Sequence, residues 1–338
     1  MQPTLIIGLG GTGAHVVSNI LTRLQENPST AESIGGALQF LYIDADTHIA
    51  ENLRLPEQYK QSIGFFALPY IEQACQQDVN LKKWFDCQIV RHAPFTPAQF
   101  DLSRSTAMYR QFGRLSLYHD LSGGNYSRVR ASIHRSLLSI QQQTPNPPLV
   151  IICTSLIGGT GGAIALDVAY LVRHILATMN SDAYVLGVFA LSNMFAWALS
   201  YAPEEHRLRF VLNQVAAIKE IQHFARTRYE FGPQGHVVAF DNLEPFNSYW
   251  LIGGERVESS LKPTDYFSMI AEEIWDRLSD EIVLMGAWMR PKGFEYVDIV
   301  APLTTNEIGE WSFWEDLYNG RLKDPNRLSP HISREFYK

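Results

Sequence analysis

Two glycine-rich stretches in this 338-residue chain have the composition of phosphate-binding loops. The first is GLGGTG at residues 8–13, and the second is GGTGG at residues 158–162; each follows an apolar run. Glycine suits such loops because it tolerates positive φ and lets a phosphate approach backbone N–H groups. A helix that begins inside the loop adds the positive end of its dipole. The pattern therefore predicts one polyphosphate site between two strand–loop–helix units.

Other interpretations of the first loop remain open. It could be a tight turn packed against its neighbours, or the fingerprint of an NAD-dependent oxidoreductase. That fingerprint expects an acidic residue about 20 residues further on, whereas Asp44 and Asp46 follow Gly13 by 31 and 33 residues. The oxidoreductase hypothesis also leaves the second loop unexplained. The pattern G-x-x-x-x-G-K-[ST] is absent, which excludes a Walker-type P-loop.

The overall charge disfavours nucleic-acid binding, although a local basic patch remains possible. With 28 basic and 35 acidic residues, the net charge of −7 offers no overall positive field for nucleic acid.

The three cysteines, Cys75, Cys87 and Cys153, form no C-x-x-C motif, and they are odd in number without two of them lying close together in the sequence. They predict a reduced, cytoplasmic protein. The first residues lack the basic start and cleavage site of a signal peptide.

The elements that must position the loops follow from hydropathy patterning. Apolar runs alternate with stretches whose apolar residues recur every three or four positions, which is typical of a parallel sheet with crossover helices. The predicted strands are residues 5–7, 38–43, 149–154, 184–191 and 249–252. The predicted helices are residues 14–25, 126–143, 163–179, 204–227 and 264–289. The sequence thus predicts an α/β fold: a doubly wound, mostly parallel sheet with helices on both faces.

The uncharged stretch at residues 183–203 is about long enough to cross a bilayer. Its first half is β-branched and aromatic, and Ser192 and Asn193 form a turn signal. Both features favour a buried strand, so we expect no membrane span.

Together, the two loops resemble those of the tubulin and FtsZ superfamily of GTPases. The GGGTG signature of that family is similar to IGGTGGA at residues 157–163, with Ile157 in place of the first glycine. The resemblance is closest to divergent prokaryotic tubulin-like proteins and extends to about residue 290. It implies GTP or GDP with Mg²⁺ as ligands. It also implies a nucleotide-binding domain at residues 1–262, a central helix at 263–290, and a short C-terminal segment at 291–338, an appendage or a truncated second domain.

The resemblance further implies which residues contact the nucleotide. Asp46 matches an aspartate near the phosphates and Mg²⁺. Glu205 and Arg209 match a pair that holds ribose and phosphate, with a solvated ion pair as the alternative. The implied nucleotide-binding residues are Gly10, Gly11, Thr12, Gly13, His15, Asp44, Asp46, Thr106, Ala107, Ser155, Gly158, Gly159, Thr160, Gly161, Gly162, Glu205, Arg209 and Asn213.

Two departures from the family concern guanine recognition and hydrolysis. Relatives place an asparagine after the sixth strand to read guanine, whereas Gly253 and Gly254 stand here. Relatives also supply a hydrolytic acid to the neighbouring subunit from the loop after the central helix; Asp298 is a poor match. No catalytic residue is therefore assigned. One hypothesis is a slow GTPase that assembles head-to-tail with itself or with another protein. The other is a GTP-binding filament or interaction protein with little hydrolysis.

Overall fold

The computed structural model describes residues 3–46, 48–90, 96–106, 108–195, 200–253, 262–279 and 299–303. Within these residues the strands are β1 Thr4–Leu9, β2 Leu38–Asp44, β3 Lys60–Ser62, β4 Leu149–Ser155, β5 Tyr184–Ala190, β6 Arg228–Phe231, β7 Val238–Asp241, β8 Ser248–Ile252 and β9 Ile299–Leu303. The helices are α1 Gly10–Glu26, α2 Pro28–Ile34, α3 His48–Asn52, α4 Leu68–Gln77, α5 Arg110–Ser122, α6 Arg128–Gln143, α7 Gly161–Thr178, α8 Glu204–Arg226 and α9 Pro263–Ser279.

The main sheet has the strand order β3-β2-β1-β4-β5-β8-β9 in the described part of the chain. Its first six strands are parallel, and β9 pairs antiparallel to β8. Strands β6 and β7 form a separate antiparallel hairpin. The predicted doubly wound, mostly parallel sheet is confirmed.

Two hydrophobic cores lie on opposite faces of this sheet. Side chains alternate along β1, so that Leu5 and Ile7 enter one core while Ile6 enters the other. The first core is covered by α5, α6, α7 and α8, and the second by α1 and α9. Burial on both faces explains why the parallel strands are continuous apolar runs.

Several elements differ from the sequence prediction. The five predicted strands and the helices over residues 14–25, 126–143, 163–179 and 204–227 are present with shifted ends. The hairpin β6–β7 was not predicted, nor was the short edge strand β3. The helix predicted over residues 264–289 is described as far as Ser279, and residues 280–298 lie outside the described part. The domain division at residues 262 and 290 stays a prediction.

Helix α7 is, in the described ranges, the one helix long and apolar enough to cross a membrane. Its apolar window is 78% buried inside the protein, so its hydropathy is explained by its place in the core. The uncharged stretch at residues 183–203 contains the buried strand β5, as predicted.

The cysteine prediction needs a correction. Cys75 in α4 and Cys87 form a disulfide, while Cys153 is buried and free. Their separation of 12 residues matches no short motif. The pairing is possible because the 3₁₀ turn at Cys87–Val90 contacts α4.

Candidate nucleotide-binding site

An open cavity of about 170 Å³ lies at the carboxyl ends of β1, β2 and β4. The strand order reverses between β1 and β4, and ligands of open α/β sheets bind at such a switch point. The lining residues are Leu9, Gly10, Gly11, Asp44, Asp46, Ile49, Ser105, Thr106, Met108, Thr154, Ser155, Gly158, Gly159, Thr160 and Gly161.

The first glycine loop passes directly from β1 into α1. Gly10 has φ +65°, a conformation that favours glycine. Helix α1 begins without a capping side chain and has no acidic residue in its first turn. No capping side chain therefore accepts from its first N–H groups, and the first two residues of the helix, Gly10 and Gly11, line the cavity.

Gly8 and Gly13 of the first loop are required for close packing. A Cβ on Gly13 would lie 2.6 Å from the Cα of Gly8 and 2.9 Å from the carbonyl oxygen of Cys153. Their absent side chains let α1 pack tightly on β1 and β4. Gly13 is buried and does not line the cavity.

The second glycine loop joins β4 to α7. Helix α7 also begins without a capping side chain and without an acid in its first turn. A Cβ on Gly161 would lie 2.5 Å from the carbonyl oxygen of Leu9, and one on Gly10 would lie 3.0 Å from the Gly161 nitrogen. The starts of α1 and α7 are thus in direct contact at the cavity, so the structure brings the two predicted loops together.

Two neighbouring glycines in the second loop have different surroundings. A Cβ on Gly159 would lie 2.7 Å from the Cα of Met108, so this position is filled by the chain itself. A Cβ on Gly158 would meet no atom closer than the Ser155 hydroxyl oxygen, at 3.5 Å. Packing therefore accounts for the glycine at 159 but not for the one at 158.

Two carboxylates line the cavity at the end of β2. Asp44 is buried, and its Oδ2 accepts a hydrogen bond of 2.8 Å from the Tyr42 hydroxyl. Burial raises the pKa of Asp44 to about 6, although the bond from Tyr42 works in the opposite direction. The Oδ1 of Asp46 accepts from the backbone N–H of His48 at 2.9 Å. No Lys or Arg is among the lining residues that the structure describes.

The cavity wall also includes a strained residue, Met108, with φ 63°. The Asn213 side-chain amide donates to the carbonyl of Met108 at 2.9 Å and to that of Ile157 at 2.8 Å. Asn213 does not line the cavity. It lies behind the second loop and holds it to the segment before α5.

The model of the family described as "Tubulin like" matches residues 5–316. The chain belongs to the tubulin-like family. The resemblance inferred from the two glycine loops is thereby confirmed. Among curated proteins, none matches the sequence significantly.

Three solved structures with low sequence identity are similar to this tubulin-like chain. CetZ from Methanosaeta thermophila is 11% identical with a TM-score of 0.47, covering 84% of this chain and 57% of that one. TubZ of Clostridium botulinum phage c-st is 13% identical with a TM-score of 0.45, covering 91% and 64%. The GTPγS-bound CetZ2 protofilament of Haloferax volcanii is 11% identical with a TM-score of 0.46, covering 85% and 62%. This chain spans about three fifths of the length of those structures.

Several residues implied by the family resemblance are not among the described residues that line the cavity of the tubulin-like chain. The His15 ring stacks on Phe267 of α9 with 5.4 Å between centroids, and burial lowers the pKa of His15. The Arg209 guanidinium lies 4.1 Å from the Tyr109 ring centroid. Thr12 and Gly162 are buried within α1 and α7. The backbone of Glu205 lies in the first turn of α8, and Ala107, Gly254 and Asp298 lie outside the described residues.

Five lining residues were not predicted from the sequence: Leu9, Ile49, Ser105, Met108 and Thr154. Thr154 has the clearest role, because its hydroxyl donates to the Leu9 carbonyl at 3.0 Å and joins the ends of β4 and β1. The sequence feature that could have identified Thr154 is a hydroxyl residue at the end of an apolar strand. Nothing in the sequence distinguishes Ile49 or Met108 from ordinary core residues.

Proposed function

We propose that this tubulin-like protein binds GTP and GDP in the cavity between its two glycine loops. The observation that carries the proposal is the contact between the starts of α1 and α7 at Gly10 and Gly161. Two helix N-termini without capping side chains, aimed at one cavity, are suited to a polyphosphate rather than to a single anion. The choice of guanine rests on family membership.

We propose Mg²⁺ as the companion ion. The lining residues carry two carboxylates and, in the part of the chain that the structure describes, no cation. A triphosphate beside Asp44 and Asp46 needs a cation to offset the repulsion, and carboxylate oxygens are the ligands Mg²⁺ prefers. Asp46 is the residue we assign to hold it. When bound, the ion neutralises charge on the phosphate oxygens.

Hydrolysis is proposed to depend on assembly. We assign no general base among the lining residues, since Asp44 is engaged by Tyr42 and by the backbone N–H of Asp46. The attacking water would be oriented by an acid from a second copy or a partner in a head-to-tail contact. A single chain should therefore be slow, and turnover per chain should rise with protein concentration.

Calorimetry with GTP, ATP and NAD in the presence of Mg²⁺ tests the proposal. We expect GTP to bind most tightly and NAD not to bind. Phosphate release is then measured over a range of protein concentrations, together with light scattering. Turnover that is fast and independent of concentration would contradict the assembly model. Scattering that rises with GTP while phosphate release stays negligible would favour a filament protein that hydrolyses little.

A further inference from the structure

The disulfide between Cys75 and Cys87 takes no part in the proposed nucleotide site. Cys75 lies near the end of α4, and Cys87 opens the 3₁₀ turn that follows. Both residues are partly exposed to solvent, whereas Cys153 is fully buried. A thiol reagent in solution can therefore reach the pair more easily than the third cysteine.

The disulfide closes a segment, residues 76–86, that is attached to the rest of the molecule at several points. Leu81 is fully buried in the first core. The Tyr118 hydroxyl of α5 donates to the Oδ2 of Asp78 at 2.7 Å. The ammonium group of Lys83 lies 2.7 Å from a carboxylate of β6. This closed segment thus contacts both α5 and the hairpin.

Trp84 connects the closed segment to the second glycine loop. Its ring centroid lies 4.9 Å from the guanidinium carbon of Arg114 on α5. Arg114 in turn donates to both carboxylate oxygens of Asp167 on α7, at 2.8 and 2.9 Å. Gly113 packs against the loop so closely that a Cβ there would lie 2.9 Å from the carbonyl carbon of Gly159. A continuous set of contacts therefore runs from the disulfide to the cavity wall.

We propose that Cys75 and Cys87 form a reversible thiol–disulfide site that controls the order of residues 76–86. Its reduction leaves the closed segment held by non-covalent contacts alone, raises the population in which Trp84 has left Arg114, and weakens polyphosphate binding at the second glycine loop. The effect on binding rests on the proposed function, whereas the effect on the segment does not.

The reaction partner is a dithiol reductant. Its first thiolate attacks one sulfur of the pair, which breaks the Cys75–Cys87 bond and forms a mixed disulfide. Its second thiol then displaces the protein sulfur. Both cysteines end as thiols, and the reductant ends as a disulfide after giving up two electrons and two protons.

Trypsin supplies a direct test, because Lys82 and Lys83 are exposed within the closed segment. Wild-type protein is incubated with oxidised or reduced dithiothreitol and digested; both digests are then quenched and fully reduced, and peptides ending at these two residues are followed by mass spectrometry. A disulfide around a loop of this size opposes opening by roughly a hundredfold, so cleavage should accelerate by up to a similar factor on reduction. Unchanged cleavage would overturn the proposal.

Alkylation and variants provide the controls. Iodoacetamide should label Cys75 and Cys87 only after reduction; labelling of both in the oxidised sample would refute the site. Cys153→Ser is the matched control and should keep the response to reductant. A Cys75→Ser and Cys87→Ser double variant should be cleaved rapidly under both conditions. If it fails to fold, the comparison of oxidised with reduced wild type still decides the outcome.

Binding of GTP with Mg²⁺ in the two redox states tests the coupling to the cavity. We expect affinity to fall severalfold on reduction. Equal affinity in both states would overturn the coupling, although the modification site would stand if cleavage responds. An absence of GTP binding in both states would count against the proposed nucleotide function, and the cleavage assay would still judge the disulfide site.

Discussion

A substitution of Gly158 by alanine tests whether this residue contacts the ligand, because it should not disturb the packing of the fold. An alanine Cβ there would meet no atom of the chain closer than 3.5 Å, and φ is not in the left-handed region. Glycine-to-alanine replacement at such a position leaves stability unchanged or raises it by about 0.4–1 kcal/mol. The added methyl group would lie at the cavity, where it would hold a phosphate away from the backbone N–H groups.

The expected loss of affinity can be estimated from the hydrogen bonds involved. A hydrogen bond to a charged group contributes about 1.5–3 kcal/mol, so losing one should weaken GTP binding by roughly tenfold to a hundredfold. Gly161→Ala is the matched comparison, because its Cβ would lie 2.5 Å from the Leu9 carbonyl oxygen. That clash should destabilise the fold by about 1–3 kcal/mol.

Thermal melting and calorimetry on both variants distinguish the two effects. We expect Gly158→Ala to melt like wild type and bind GTP weakly, and Gly161→Ala to melt at a lower temperature. If Gly158→Ala binds GTP as wild type does, the second loop does not contact the phosphates. If it melts as low as Gly161→Ala, a Cβ at position 158 does clash with the chain.

Three further variants address the metal, the loop support and the pH dependence. Asp46→Asn should reduce the gain in GTP affinity that Mg²⁺ provides while leaving binding in EDTA unchanged; equal Mg²⁺ dependence would remove Asp46 as a ligand. Asn213→Leu leaves the Met108 and Ile157 carbonyls without their donor, at a cost of about 1–3 kcal/mol for each that stays unpaired, measured by urea unfolding. Burial lowers the pKa of His119 below its usual 6.5, so the unfolded chain binds the proton more readily and stability falls as pH drops below about 6.5. His119→Phe should reduce the loss of stability at low pH. An unchanged dependence of the melting temperature on pH would show that His119 does not contribute to that loss.

The sequence was informative wherever one local pattern determines the structure. The strands β1, β2, β4 and β5 are apolar runs because both their faces are buried, and this is visible without any partner. The edge strand β3 is only Lys-Gln-Ser, so it carries no hydropathy signal. Each strand of the hairpin β6–β7 has four residues, too few to establish an alternation.

The sequence predicted the two backbone loops that line the cavity better than it predicted the positions of individual side chains. Glycine loops are local, and both were placed at the cavity. His15 is on the first turns of α1, but the direction of its side chain depends on α9, which lies 252 positions away at Phe267. The role of Asn213 likewise depends on two loops that come from distant parts of the chain. Such long-range pairings have no signature in a single sequence.

The cavity lies on the boundary between the two hydrophobic cores. Helix α1 belongs to one core and α7 to the other, and their first residues meet at Gly10 and Gly161. A ligand held by both helix starts would add a second connection between two packing units that meet at the sheet and at these first residues. Its binding free energy would then oppose the opening of either unit. When the ligand binds, amide hydrogen exchange should therefore slow both in α1 and in α7, which pack on opposite faces of the sheet.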